Sequence, residues 1–202
     1  MTASSTIKTL KDTDGKTIAY STHGASTHGI VNAFIKEQNL KSNPVATGGP
    51  PATLTQVMSG QIDVGWSAPP FGLSLLDEGK IRIVARGNDA AIFRGQTVRL
   101  LVTNTQTLQT RKAVLDRYMK AYRETIEWMY ADPAALDAYA EFVGFSKTLA
   151  KRSRDDFYPK EALNPDKVVG LDVITQDAVA LKYTAAPLGK EQLTELIQIA
   201  PR

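Results

Sequence analysis

The hydrophobic period of this chain changes once, between about Thr103 and Arg111, and that change limits the folds open to it. Before it, short β-branched runs are punctuated by glycine and proline and separated by short amphipathic stretches. Lys16 to Tyr20, Pro44 to Thr47, Ile62 to Trp66, Ile81 to Arg86 and Val98 to Thr103 read as strands. Thr27 to Gln38, Thr53 to Ser59 and Phe71 to Asp77 read as the helices between them, with Asn39 and Gly60 as stops. Strands alternating with helices at this spacing predict a mainly parallel α/β sheet.

After the change, Leu115, Tyr118, Met119, Tyr122, Ile126 and Met129 recur at three and four residues, the signature of one long amphipathic helix ending near Asp132-Pro133. Ala134 to Val143, Ser146 to about Asp156, Val168 to Tyr183 and Lys190 to Ile199 continue in the same way, so the C-terminal half is predicted to be helical with no strand inside Val114 to Met129. The expected division is residues 1–110 as an α/β lobe with ligand-facing loops and residues 111–202 as a helical segment that would complete the other lobe.

Composition narrows the function. With 43% hydrophobic and 22% charged residues the chain is an ordinary globular one. The 24 Lys and Arg against 21 Asp and Glu leave only +3, and the basic residues are dispersed, so nucleic acid is not an expected partner. The tightest basic group, Lys147, Lys151, Arg152 and Arg154, is followed by Asp155 and Asp156 and reads as a solvated helix face. The absence of cysteine excludes disulfides, thiolate-bound zinc and a thiol nucleophile. No apolar run reaches the roughly 20 residues a spanning helix needs, and the first twelve residues hold no apolar signal core.

Three stretches fall where strands end and helices begin, the edge at which open α/β sheets gather ligands. In His23-Gly24-Ala25-Ser26-Thr27-His28, small residues, two hydroxyls and the positive end of a helix suit a carboxylate, sulfonate or phosphate; Ser26 serving only as a helix cap is the plain alternative. Gly48 and Gly49, in Thr47-Gly48-Gly49-Pro50-Pro51, form either a second ligand-facing loop or a turn needed for backbone geometry alone, and their spacing is not that of a nucleotide-binding loop. Trp66 either stacks on a ligand or sits in the core. His23 and His28 lack a third ligand nearby, so no metal, cofactor or catalytic residue is assigned, and Asp63 reads as an internal hydrogen-bond acceptor.

Taken in order, LKDTDGKTIAYSTHGASTH, GGPPATLTQVMSGQIDVGWSAPP and IRIVARGND resemble the SsuA/THI5-like (NMT1-type) solute-binding family of ABC transporters, in which a "DLkGKkIa" strand leads to a "GS-S-T-H"-like helix start and then to an "L...SGqvDa" helix and strand. Thr13 to Ala19, Gly24 to His28 and Leu54 to Val64 carry the correspondence. The resemblance implies a two-lobed, type II periplasmic-binding-protein-like fold that lacks the N-terminal part of the first lobe. It implies ligand contacts at Ser26, Thr27 and His28, with Gly48, Gly49 and Trp66 following by position at the cleft edge. It further implies a periplasmic or extracytoplasmic protein, its signal segment absent from this chain, that hands a sulfonate-like or aromatic solute to a permease without catalysis. Helices left without their first-lobe strands would favour a homo-oligomer. Two other classes share the architecture. A LysR-type effector-binding domain would be cytoplasmic and dimeric, and a THI5-type pyrimidine-forming enzyme would rely on a cysteine-rich segment.

Overall fold

The computed structural model of the chain describes residues 1–180 and 182–199. It divides into two compact units, Met1–Arg94 and Gly95–Arg202.

In the first unit, β1 (Thr17–Tyr20) and β2 (Asn43–Ala46) run parallel, with Ile18 opposite Pro44 and Ala19 opposite Val45. The helix α1 (Ser26–Gln38) connects them, and Asn39 ends it in the left-handed conformation, with φ 51° and its amide bonded to the Ile35 and Lys36 carbonyls. After β2, α2 (Pro50–Met58) starts three residues earlier than its apolar pattern suggests, because Pro50 is pre-shaped for a first helical turn. The helices lie on opposite faces of the sheet. Ala19 packs with Val57 of α2 and with Ile62, whereas the ring of its neighbour Tyr20 lies 4.5 Å from that of His28 on α1. A second apolar cluster joins Ala33 and Phe34 of α1 to Ala90, with Leu10, Ile30, Ala85, Ile92 and Phe93 around them. The approach is close: a Cβ on Gly29 would lie 2.8 Å from Cζ of Phe93.

The other expected strands are reduced. Of Ile62 to Trp66, only Val64 pairs with β1, as a parallel bridge to Ile18. Asp63 has exchanged ladder bonds for side-chain ones: its carboxylate accepts from the Thr17 amide (2.9 Å) and hydroxyl (2.7 Å), and its own amide donates to that hydroxyl (2.8 Å). Those bonds from Thr17, the amide's first, hold the Asp63 carboxyl below the usual carboxylate range. Ile81 to Arg86 is not a strand of the parallel sheet either. Ile81 bridges Thr2 antiparallel, and the Arg82 guanidinium is drawn to the Ser5 and Ile7 carbonyls. The helix α3 (Leu73–Asp77) between these segments is shorter than expected.

Val98 to Thr103 is not a strand. Thr97 donates to Val169 (3.0 Å), but among the described residues no backbone bond continues along the next six residues. The helical half begins before Arg111, with α4 (Thr105–Thr110) capped by Asn104, and proceeds through α5 (Lys112–Ala131), α6 (Pro133–Val143), α7 (Lys147–Phe157), α8 (Leu171–Ala180) and α9 (Lys190–Leu196). No strand interrupts Val114 to Met129. The last two helices are shorter than their patterns, and Leu181, within the expected Val168 to Tyr183, lies outside the described residues. Caps account for the starts: the Asp132 carboxylate accepts from Ala134 and the Ser146 hydroxyl from Leu149.

This second unit buries small residues, Ala135, Ala140, Ala150 and Ser153, with Leu136, and none of α5 is buried. Arg123 and Asp166 tie α5 to the segment before α8 through a forked pair of 2.7 and 2.9 Å contacts. The four expected surface cations are all paired: Lys147 with Asp137, Lys151 and Arg154 with Asp155, and Arg152 with Asp156. The architecture is therefore α/β with a parallel sheet followed by a helical half, although its ordered sheet is two strands and a bridge.

Candidate functional site

Parallel strands put their C-terminal ends on one edge, so the segments leaving Tyr20, Ala46 and Val64 emerge side by side. Hydrogen bonds join them. Thr47 donates its amide to the Tyr20 carbonyl (2.9 Å), and Gly48 donates to the Ser21 carbonyl (3.0 Å). The Trp66 indole N–H donates to the Gly48 carbonyl (3.0 Å). Gly48 holds φ 75°, a conformation in which a side chain is strained, so its glycine has a backbone reason here. Below this edge the buried Thr47 and Thr53 hydroxyls lie 2.6 Å apart, and Thr53 donates to the Gly49 carbonyl, fastening β2 to α2.

The helix cap at α1 is Ala25, not Ser26, and Ser26, Thr27 and His28 occupy the first turn. Among the described residues the Ser26 and Thr27 amides have no acceptor, whereas those of His28 and Gly29 bond to the Ala25 carbonyl. There is no acidic residue in this first turn, so the positive end of the helix is not neutralised from within. The hydroxyls differ. Thr27 turns back to the preceding segment, accepting from the Ser21 amide (3.0 Å) and lying 2.7 Å from the Ser21 hydroxyl. Ser26 Oγ has no partner among the described residues, and Ser26 is partly exposed. At α2, by contrast, Pro50 and Pro51 have no N–H to offer, which leaves Gly49 and Ala52 as amide donors. Each helix start thus presents two amides without an acceptor among the described residues, and α1 adds the Ser26 hydroxyl.

His28 is engaged within the protein. Its Nδ1 accepts from the Gly24 amide (3.3 Å), its Nε2 lies 3.1 Å from the Asn32 side chain, and its ring stands 4.5 Å from those of both Tyr20 and His23. Burial, and after it the neighbouring His23, hold the ring below the usual imidazole value. Trp66 is partly buried and packs against the Ala19, Val57 and Ile62 cluster, so its body is in the core while its N–H serves the edge.

The structure thus brings Thr27, Gly48 and Trp66 into one hydrogen-bonded edge through Ser21, with Ser26 and His28 on the adjoining helical turn. Ser21, Thr47 and Tyr20 were not among the expected residues. Nothing in the six-residue spacing from Ser21 to Thr27 announces their bond, because it depends on how sharply the chain turns after β1. Asn32 was legible, since four residues along a helix bring a side chain back beneath His28. Among the described residues there is no group of three or more His, Cys, Asp or Glu able to hold a metal ion, and no helix is long and apolar enough to cross a membrane.

No curated protein matches the chain. Among solved structures it is similar to the alkanesulfonate-binding protein SsuA from Xanthomonas axonopodis pv. citri bound to MOPS, with a TM-score of 0.73 at 17% identity over 98% of this chain and 67% of that one. It is also similar to the periplasmic aliphatic sulphonate binding protein SsuA from Escherichia coli, with a TM-score of 0.67 at 15% identity over 97% of this chain and 66% of that one. The chain therefore spans about two thirds of the length of these proteins and shares the type II binding-protein fold with them. The model of the family described as NMT1/THI5 like matches residues 1–136 of the 202, and the chain belongs to that family.

Proposed function

We propose that this chain is the solute-capturing part of an ABC importer, that it takes up a small organic anion such as a sulfonate at the start of α1, and that it hands the anion to a permease without chemical change. The observation that carries this reading is the first turn of α1, beside the strand edge, where two backbone amides and the Ser26 hydroxyl have no partner among the described residues and no carboxylate stands in the turn. The two solved proteins of the same fold are named as sulfonate binders, which supports a binding role over a catalytic one. The reading includes an extracytoplasmic location, residues 1–110 as the ligand-facing lobe, residues 111–202 as a segment completing the other lobe, and Gly48, Gly49 and Trp66 as the rim of the site.

The test is a screen of sulfonates and other organic anions by thermal shift, followed by calorimetric titration. A ligand at a hundred times its Kd should add about 2.7 kcal/mol to stability. Proline is tolerated as a first helical residue, and Ala25 already has the extended backbone it requires before it, with ψ 161°. Ser26→Pro therefore removes an amide and a hydroxyl without a large loss of stability. A charge-assisted hydrogen bond is worth about 1.5–3 kcal/mol, so Ser26→Pro and Ser26→Ala should each weaken binding by roughly one to two decades. Affinity unchanged in both would remove the site from α1, and a screen in which no anion binds would remove the ligand class.

Self-association is the second part of the reading. Val98, Leu100, Leu101 and Val102 are exposed, Val102 to 88%, on a segment with no backbone partners among the described residues, and Tyr118 and Trp128 of α5 are exposed as well. Unpaired extended backbone with apolar side chains is a template for another strand. Light scattering should show a dimer or larger species, and Leu101→Lys should shift it toward monomer. A monomer at all concentrations would sink this part alone.

A further inference from the structure

We propose that His28 is a proton-sensitive latch on the segment between β1 and α1, closed while its Nδ1 lone pair accepts the Gly24 amide and opened when a proton takes that lone pair.

The amide of Gly24 can only donate, so the 3.3 Å contact requires Nδ1 to be bare. In the neutral ring the hydrogen is then on Nε2, beside the Asn32 side-chain nitrogen 3.1 Å away, and a half-turn of the Asn32 amide brings its carbonyl oxygen there as the acceptor. Both ring nitrogens are satisfied in this tautomer and no other. A proton on Nδ1 turns an acceptor toward Gly24 into a donor, and two donors repel.

The surroundings favour the neutral ring as well. The groups facing it are Tyr20 from β1 and His23 from the intervening segment, each with its ring centroid 4.5 Å away, and Asn32 from its own helix. No carboxylate contributes to its electrostatics, and the nearby ionisable group that does, His23, opposes its charge. The ring also stands in the first turn of α1, where the helix dipole disfavours a cation. Since the folded protein holds the ring below the usual imidazole value of about 6.5, the stability it contributes is fully present above that pH and is lost as the pH falls through the folded value.

Opening leaves the Gly24 N–H and the new Nδ1–H without an acceptor among the described residues, flanking the Ser26 and Thr27 amides that already have none there. Gly24 holds φ 82°, so the released turn has a residue that can change conformation without a steric penalty.

The experiment is a nitrogen-detected NMR titration of both histidines on the intact chain between about pH 4.5 and 7.5, with hydrogen-exchange protection of the Gly24 amide read at each point. His28 should titrate below the usual imidazole value, show a bare Nδ1 when neutral, and lose Gly24 protection by about tenfold over the same interval. His28→Asn places an uncharged acceptor near the Nδ1 position, so Gly24 protection should stay flat with pH. His23→Asn should raise the His28 midpoint. Gly24 protection that ignores the His28 titration, a neutral ring with its hydrogen on Nδ1, or the same loss of protection in His28→Asn would each overturn the latch. Should His28→Asn fail to fold, the wild-type titration and His23→Asn still decide it.

Discussion

Replacing Arg123 with alanine is expected to destabilise the second unit by about 2–3 kcal/mol, between the loss for an exposed ion pair and that for a fully buried one. The two side chains retain only 16% and 14% of their exposure, and the guanidinium meets the Asp166 carboxylate through two nitrogens. Removing it takes the forked partner from a partly buried carboxylate. Lysine at 123 restores the charge but not the fork, so Arg123→Lys should fall between wild type and alanine. Urea denaturation measures the loss, and hydrogen exchange should place it in α5. A change under about 1 kcal/mol, the usual worth of an exposed pair, would mean that solvent screens this contact.

The second large effect is expected in the first unit. Phe34→Ala should cost about 4–5 kcal/mol, the upper part of the range of about 3–5 kcal/mol for a buried aromatic. Phe34 is 7% exposed and shares its cluster with Ala33 and Ala90, whose short side chains cannot swing into the space the ring vacates. Gly29, one turn and a residue earlier, already runs against Phe93, which limits how far α1 can slide to close the gap. Exchange protection should fall along α1 as a whole. A loss below about 2 kcal/mol would show that Leu10, Ile92 and Phe93 collapse inward more readily than their packing suggests.

The elements that were legible in the sequence are those whose hydrogen bonds are local. The start of α1 near Ser26, its end at Asn39, the long helix before Asp132-Pro133 and the cap at Ser146 all follow from side-chain period and from residues that satisfy a helix terminus nearby. Asp63 as an internal acceptor was legible too, since a carboxylate inside an apolar run needs donors, although the donor, Thr17, lies 46 residues away.

The reduced strands were not legible, for the same physical reason. A run such as Val98 to Thr103 has the β-branched content of a strand, but strand formation requires a neighbour, and no residue in the run names one. The candidate site divides along the same line. That Ser26 and Thr27 open a helix was decided by the sequence, because helix starts are written in adjacent residues. That Thr27 is spent on Ser21, that Gly48 is held by Trp66 and that the Ser26 hydroxyl has no partner among the described residues was decided only by the tertiary structure, because each depends on the register of parallel strands bringing distant turns to one edge.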